Sequence, residues 1–303
     1  MARRKARRSL KPATVSIRPA DGKPLEIRSS TKLQELAMQW SYVVRNRGRW
    51  TTDDSAREAL AARAVADLES IGVSKDEVAR LAAAGLIEVG MRFEQEADGW
   101  ETRVMPWEHL LHFATRGRRR NSSLLVVRHL ERDSPDFANE SGAPLFVESA
   151  PPAFADRFWF ESERYAVLTP FGVDIKSADP SLKNPTEAEL ERAVKSKTPS
   201  MIHLAGVDAH EGAQLLELEP DPDRRDGYYV CDAAKQPVVV EAERLAKILN
   251  AAKRPPRLVT ANVYHSGPRI AGLAVAHGAG AAIGIQDTID NTLAELFYSI
   301  FYQ

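Results

Sequence analysis

Two stretches near the C-terminal end of the chain decide its fold: Ser200-Met-Ile-His-Leu-Ala-Gly206 and Arg257-Leu-Val-Thr-Ala-Asn-Val-Tyr-His-Ser-Gly267. Each is a short apolar run that ends abruptly in polar and glycine residues. Runs of this kind are typical of buried parallel strands, which deliver side chains to a site at their carboxyl ends. We therefore predict that the two stretches are strands of one sheet, and that their ends face each other across a crevice.

The composition is that of a globular chain without a dominant charge. Lys and Arg total 41 against 42 Asp and Glu, so no global field argues for a nucleic-acid or membrane partner. The sequence contains no apolar run long enough to span a bilayer and no secretory signal near Met1. The single cysteine, Cys231, cannot form an internal disulfide and fits a reducing compartment. We expect a cytoplasmic protein that does not associate with membranes.

Basic residues are concentrated at the N-terminus. The arm that they form has almost no apolar side chains and contains Arg3, Arg4, Lys5, Arg7, Arg8 and Lys11. Such a segment is predicted to be a solvated tail, and contact with nucleic acid or with an acidic partner is the alternative. Two further arginine groups lie within residues 45–49, among aromatic residues, and within residues 116–120.

Hydrophobic periodicity divides the chain into three regions. Residues 1–32 contain the basic arm and a β-hairpin, because Thr14–Arg18 and Pro24–Arg28 alternate around an Asp-Gly turn. Residues 33–85 have helical spacing, and Ser74 is placed to cap the last helix of that region. Residues 86–303 alternate strands with helices, which predicts a mostly parallel sheet in an α/β/α sandwich. Within this region we predict a strand at Trp100–Met105, a buried strand at Leu124–Arg128 and a final helix at Asn291–Phe301.

Polar residues that follow the two deciding strands form the candidate site. The side chains that could line the crevice are His203, Asp208, His210, Asn262, Tyr264, His265, Ser266 and Asp287. Ser266 is a conceivable nucleophile, but it needs a histidine within hydrogen-bond reach and an oxyanion hole. A second alternative is a zinc or iron site made by His203, Asp208, His210 and His265, since imidazole and carboxylate suit those metals. Because ordinary hydrogen bonding explains each histidine equally well, we expect neither a metal nor a cofactor.

The order of these motifs resembles the CHAT family of caspase- and separase-like cysteine peptidases, which belong to clan CD. The resemblance covers roughly the last two thirds of the chain. Besides the two deciding stretches, it includes Met105-Pro-Trp-Glu-His-Leu-Leu111, Asp226-Gly-Tyr-Tyr-Val230, Glu241–Ala252 and Ile270–Gly284. It implies a caspase-like α/β/α sandwich over residues 86–303, preceded by a small helical region.

Two departures from the family pattern concern its catalytic residues. Tyr264 stands where the resemblance places the nucleophilic cysteine, and Val207 stands where it places the general-base histidine. Cys231 does not replace the nucleophile, because it lies in a predicted strand with no His, Lys or Arg beside it to lower the pKa of its thiol. The resemblance therefore implies a peptidase fold in which both catalytic positions are substituted.

Two functions of different classes follow. The leading hypothesis is a degenerate peptidase that serves as an interaction or regulatory component, with protein partners, in a bacterial multi-protein conflict or defence system. The alternative is a hydrolase or peptidase of altered chemistry that uses His203, His210 and Ser266 or a bound metal. Because proteins of this family usually continue a few residues beyond the last helix, we expect a natural chain that extends past Gln303.

Overall fold

The structure is a computed structural model that describes residues 13–19, 22–46, 48, 50–92, 99–117, 124–130, 137, 142–173, 175, 180–219 and 226–303. The basic arm, the hairpin turn at residues 20–21, positions 47 and 49, and the arginines at 118–120 lie outside the described residues. The chain divides into two compact units, Met1–Arg132 and Asp133–Gln303. No helix in the described ranges is both long and apolar enough to cross a membrane.

The first unit combines a small sheet with helices. Its strands are β1 (Thr14–Pro19), β2 (Leu25–Arg28), β3 (Leu86–Arg92) and β4 (Leu125–Leu130), in the order β2-β1-β3-β4. Its helices are α1 (Thr31–Arg45), α2 (Asp54–Ser70), α3 (Lys75–Ala83), α4 (Trp100–Val104) and α5 (Trp107–Thr115). β1 is antiparallel to β2 and β3, whereas β3 and β4 are parallel.

Local sequence explains most of this unit. The predicted hairpin is confirmed, and Ser74 caps α3 through a capping box in which Glu77 bonds back to the Ser74 backbone. Alternate residues of β1, such as Val15 and Ile17, are fully buried against the helices of the same core. Trp40 of α1 is also fully buried there, so one face of the sheet is covered by the helical residues that the 3.6-residue spacing indicated.

One strand prediction in this region is wrong, and a second is right about the strand but wrong about its burial. Trp100–Met105 is not a strand, because Gly99 takes a left-handed conformation and the Thr102 hydroxyl donates to the Gly99 carbonyl, which together start helix α4. The run beginning at Leu124 is a strand, but not a buried one, since Leu125 is 60% exposed in β4 at the edge of the sheet. In both cases the apolar pattern is a property of the segment itself. It does not show which face of the segment other parts of the chain cover.

The division between the units also differs from the predicted regions. We expected the α/β domain to begin at residue 86, but residues 87–92 of β3 pair with β1 of the hairpin. The segment Met105–Leu111, which contributes to the family resemblance, also lies in the first unit. Strand pairing between residues as far apart as Thr14 and Arg92 therefore places β3 in the first unit, which ends at Arg132.

The second unit is built on a parallel sheet flanked by helices, and the predicted α/β/α sandwich is confirmed. Its strands are β5 (Pro144–Ser149), β6 (Leu182–Lys183), β7 (Met201–Gly206), β8 (Gly227–Cys231), β9 (Pro237–Glu241), β10 (Leu258–Asn262) and β11 (Ala281–Gly284). Its helices are α6 (Glu161–Leu168), α7 (Glu187–Lys197), α8 (Ala209–Leu215), α9 (Ala242–Leu249), α10 (Gly272–His277) and α11 (Asn291–Phe301). The sheet order is β11-β10-β7-β5-β6, all parallel, and β8 and β9 form a separate antiparallel ribbon.

The register of the two deciding strands positions the site. β7 lies between β5 and β10, all six of its residues are buried, and Asn262 of β10 is paired with Ala205 of β7. Both strands therefore end at the same edge of the sheet, as predicted. The β8–β9 ribbon is attached just beyond that edge, where the Tyr229 N–H donates to the Val207 carbonyl at 3.0 Å.

Candidate functional site at the carboxyl ends of β7 and β10

Tyr264 occupies the loop two residues beyond the end of β10. Its side chain is half-buried. Burial raises the pKa of the phenol, and the negative charges of Glu211, Asp290 and Asp208 raise it further. The position that the family resemblance assigns to a nucleophilic thiolate thus holds a neutral phenol that faces carboxylates.

Val207, the first residue after β7, lies in an apolar environment. The side chain is fully buried and packs in a cluster with Ala150, Phe154 and Tyr229. Its backbone carbonyl is occupied by the hydrogen bond from the β8–β9 ribbon. The position that the resemblance assigns to a general base is therefore part of the packing between the strand end and the ribbon.

Asp208 begins α8 and is almost completely buried. Its backbone is extended, and its Oδ1 accepts from the N–H groups of His210 (2.8 Å) and Glu211 (3.3 Å), so it is the N-cap of the helix. The residue is 3% exposed, and its Oδ2 has no hydrogen-bond partner among the described residues. Burial and then the Asp208 charge raise the pKa of the Glu211 carboxyl to about 7.

His210 lies beside this pair but interacts with a different carboxylate. Its Nε2 is 3.0 Å from Oδ1 of Asp226, the residue immediately before β8. Arg269, which is 7% exposed, places its Nη1 3.2 Å from the same oxygen. Asp226 therefore orients the imidazole and also pairs with the buried guanidinium.

His203 does not line the crevice, and that part of the prediction is wrong. It is fully buried within β7, with Nε2 2.8 Å from Oε1 of Glu163 and Nδ1 2.7 Å from the Thr260 hydroxyl. Its ring stacks on Phe146 at a centroid distance of 5.1 Å and contacts Tyr298 of α11 edge-on. The side chain points to the sheet face covered by α6 and α11, because residues along a strand alternate between faces.

Asn262 is connected to His203 through a residue that the sequence analysis missed. Its Nδ2 donates to Oε2 of Glu163 at 2.9 Å, so the two oxygens of one carboxylate bind side chains of β10 and β7. Glu163 lies in α6 and is 1% exposed. Helical spacing could have indicated that Glu163 is buried, because it lies four residues before the buried Val167 on the same face of α6.

Ser266 has a structural role. It is fully buried, its Oγ donates to the Ala261 carbonyl at 3.0 Å, and the same oxygen accepts from the Ile285 N–H at 2.9 Å. These bonds tie the turn after β10 to the end of β11. The hydroxyl is not oriented by a histidine, and this geometry does not favour the serine-nucleophile alternative.

The other two predicted pocket residues lie beside this turn. His265 is half-buried and adopts a left-handed conformation (φ 56°), with Nδ1 3.4 Å from the Gln286 carbonyl. Asp287 accepts from the Thr288 N–H at 2.7 Å. The charge in this loop that acts on Tyr264 is that of Asp290, the N-cap of α11, which the sequence analysis did not select.

Cys231 ends β8 and is buried, as its position in a strand predicted. Burial raises the pKa of its thiol, which opposes thiolate formation at neutral pH. Within the ranges that the structure describes, no group of three or more His, Cys, Asp or Glu side chains is close enough to hold a metal ion. His203 and His210, two members of the metal alternative, are instead paired with Glu163 and Asp226.

Comparisons with known proteins do not identify a family. A scan against protein-family models finds no match, and a search of curated proteins finds none either. The resemblance to CHAT proteins therefore depends on the order of the sequence motifs alone.

Proposed function

We propose that this chain is a CHAT-like pseudopeptidase that acts as an interaction or regulatory component of a bacterial multi-protein conflict or defence system. One observation carries the proposal. Tyr264 holds the nucleophile position of the resemblance, and its burial together with the negative charges of Glu211, Asp290 and Asp208 raises the pKa of its phenol. A peptidase of this class needs the opposite electrostatics, because a thiolate is stabilised by neighbouring positive charge.

The surroundings of Val207 support the same proposal. In the resemblance this position supplies the base, yet its side chain packs against Phe154 and Tyr229 and is fully buried. His203 is held inside the sheet by Glu163, and His210 is held by Asp226. Each of these two imidazoles therefore has a carboxylate partner of its own.

What the crevice retains is a fixed arrangement of polar groups suited to binding. β7 is buried on both sides, the Asp208 cap holds the start of α8, and the Ser266 hydroxyl holds the turn after β10. Side chains on such supports lose little conformational entropy when they bind a ligand. A rigid polar crevice without a nucleophile favours recognition of a partner protein over chemistry on it.

The first test asks whether the crevice contains a nucleophile. The native protein is incubated with a panel of peptidyl acyloxymethyl ketones and iodoacetamide, and the adducts are located by mass spectrometry. We expect no stoichiometric adduct on any residue between 203 and 212 or between 262 and 267. Rapid, saturable labelling of a residue in either segment would contradict the pseudopeptidase proposal.

The second test asks whether the crevice binds a partner. Affinity purification from cells that naturally make the chain is compared for the wild type, Tyr264→Ala and the matched control Tyr165→Ala. Tyr165 is an exposed tyrosine of α6, so its replacement removes the same chemistry from a different surface. We expect a partner protein that co-purifies with the wild type and with Tyr165→Ala but not with Tyr264→Ala. Recovery of the same proteins in the same amounts with both variants would contradict the proposal.

A further inference from the structure

We propose that the outer face of α11 pairs with the same face of a second copy of this chain, so that the protein forms a homodimer about a twofold axis. The outer face consists of large apolar side chains that recur at helical spacing, and they are Leu293, Leu296, Phe297, Ile300 and Phe301. Dimerisation goes beyond the proposed function, because it does not depend on what the crevice binds.

The exposure of the outer face is unusual for a surface helix. Leu296 is 53% exposed and Ile300 is 63% exposed, and the other three side chains are 41–57% exposed. A surface helix ordinarily directs its apolar stripe at the core and its polar side chains at solvent. In α11 large apolar side chains lie on the solvent side as well, and contiguous exposed patches of this kind mark interaction surfaces.

The inner face of α11 is already packed on the second unit. Ala294 and Tyr298 are fully buried, and the Tyr298 ring contacts His203 edge-on at a centroid distance of 4.8 Å. The side chain of Asp290 caps the start of the helix. Because these contacts fix the orientation of α11, the helix cannot rotate to bury its outer face without breaking them.

Ring contacts extend the apolar surface beyond the helix. Phe297 and Phe301 stack with their centroids 6.0 Å apart, and Phe301 contacts Tyr302 at 5.0 Å. Tyr302 in turn contacts Phe171 at 6.0 Å, and Phe171 is itself 45% exposed. The surface therefore continues from α11 onto the turn that follows α6.

The size of the outer face fits a second copy. A large side chain buries about 200 Å² when it is completely covered, so five that are half exposed leave on the order of 500 Å². Two such faces would together bury on the order of 1,000 Å², which is the area at which a specific interface between two proteins is expected.

The chemistry of the outer face favours a copy of itself. Glu295 is the one charged residue in the sequence of α11, and it lies outside the stripe, so the stripe offers no charge that would select a charged partner. Two antiparallel copies would place the end with one side chain, Leu293, against the end with two, Ile300 and Phe301. The middle of the stripe, at Leu296, would then lie near the twofold axis.

Sedimentation equilibrium of the full chain at about 1 to about 100 µM tests the association, since interfaces at the lower limit of size bind weakly. We expect a reversible dimer with twice the mass of one chain. Leu296→Glu should weaken it by at least about hundredfold, because it places like charges in an apolar contact. The matched control is Leu218→Glu, which should leave the dimer unchanged, since Leu218 is 50% exposed beyond the end of α8.

Cross-linking locates the contact without adding a charge to the helix. The single native cysteine, Cys231, is buried, so an introduced cysteine at an exposed position is the more reactive thiol. Under mild oxidation Leu296→Cys should form a disulfide-linked dimer at least about tenfold faster than Leu218→Cys, because a residue near a twofold axis lies close to its own copy. Thermal unfolding of every variant confirms that folded protein is compared.

Three results would overturn the dimer. They are a wild type that stays monomeric up to about 100 µM, a dimer that Leu296→Glu leaves unchanged, and equal rates of cross-linking in the two cysteine variants. The dimer and the proposed function fail separately. A monomeric wild type whose partner is still lost in Tyr264→Ala refutes only the dimer. A dimeric wild type from which Tyr264→Ala and Tyr165→Ala recover the same proteins refutes only the proposed function.

Discussion

Glu163 of α6 and His203 of β7 form a buried pair in the core of the second unit, with Oε1 2.8 Å from Nε2. Both side chains are almost completely excluded from solvent. The other oxygen of Glu163 accepts from Asn262 at the end of β10. One carboxylate thus fixes the relative positions of α6, β7 and β10 beneath the crevice, and the complete burial of His203 makes it unavailable for catalysis.

The first prediction concerns the stability that this pair provides. Glu163→Ala leaves both the His203 imidazole and the Asn262 amide without their partner in the core, so we expect a loss of about 3–5 kcal/mol in the free energy of unfolding. Urea denaturation monitored by circular dichroism measures it. The matched control is Glu161→Ala on the exposed side of the same helix, which should change the value by less than about 0.5 kcal/mol. A loss below about 1 kcal/mol for Glu163→Ala would show that the pair is not important for stability.

The second prediction concerns the nucleophile position. Tyr264→Cys alone should not create a peptidase, because Glu211, Asp290 and Asp208 oppose formation of a thiolate there. Fluorogenic peptides with varied residues before the scissile bond provide the assay, and a thiol titration with a chromogenic disulfide reports the pKa of the new cysteine. Turnover above that of the wild type, accompanied by a thiol pKa below about 7.5, would refute this electrostatic argument.

The third prediction concerns the base position. Val207→His places an imidazole in the apolar cluster with Ala150, Phe154 and Tyr229, so we expect destabilisation of about 2–4 kcal/mol. Combining it with Tyr264→Cys should therefore not restore activity without repacking of the cluster. The control is Val238→His, since Val238 is 39% exposed on β9 and tolerates a polar side chain. Wild-type stability of Val207→His would contradict the packing described for this position.

The fourth prediction is a pH dependence caused by Glu211. Its pKa is raised in the folded state to about 7, so the native chain holds this proton over a range of pH in which the unfolded chain has released it. The contribution of Glu211 to stability must therefore fall as the pH rises from about 4.5 to about 7 and stay constant above that range. Burial is the larger cause of this shift, and the negative charge of Asp208 is the second.

Glu211→Gln isolates this contribution. Urea unfolding of the wild type and the variant at pH 5, 6, 7 and 8 should show the variant gaining relative stability up to about pH 7 and then no more. Glu217→Gln, an exposed position beyond the end of α8, should show no such trend. A difference between wild type and Glu211→Gln that is independent of pH would contradict the burial of this carboxyl.

The sheet and the location of the crevice could be predicted from the sequence because strands that are buried on both faces consist of continuous apolar runs. Met201–Gly206 and Leu258–Asn262 are such runs, and both end at the edge where the structure places the crevice. The helix Asn291–Phe301 has the bounds that its spacing predicted. These features depend on local patterning, which a single sequence contains.

The composition of the site was less predictable because its contacts are distant in sequence. The partner of His203 is forty residues away, in a helix that carries no catalytic motif. Ser266 resembles an exposed turn residue, yet its partner Ile285 belongs to the end of another strand. Asp287 and Asp290 are equally polar in sequence, but Asp290 is the N-cap of α11 and its charge is among those that raise the pKa of Tyr264.

The central claim is that the crevice around Tyr264 recognises a polypeptide without cleaving it. One experiment measures both binding and cleavage. A proteome-derived peptide library is passed over the immobilised wild type, Tyr264→Ala and Tyr165→Ala, and bound and unbound fractions are sequenced by mass spectrometry. The account predicts intact peptides that the wild type and Tyr165→Ala retain and Tyr264→Ala does not, with no new peptide termini. Peptides cut at a defined residue by the wild type, and left uncut by Tyr264→Ala, would contradict it.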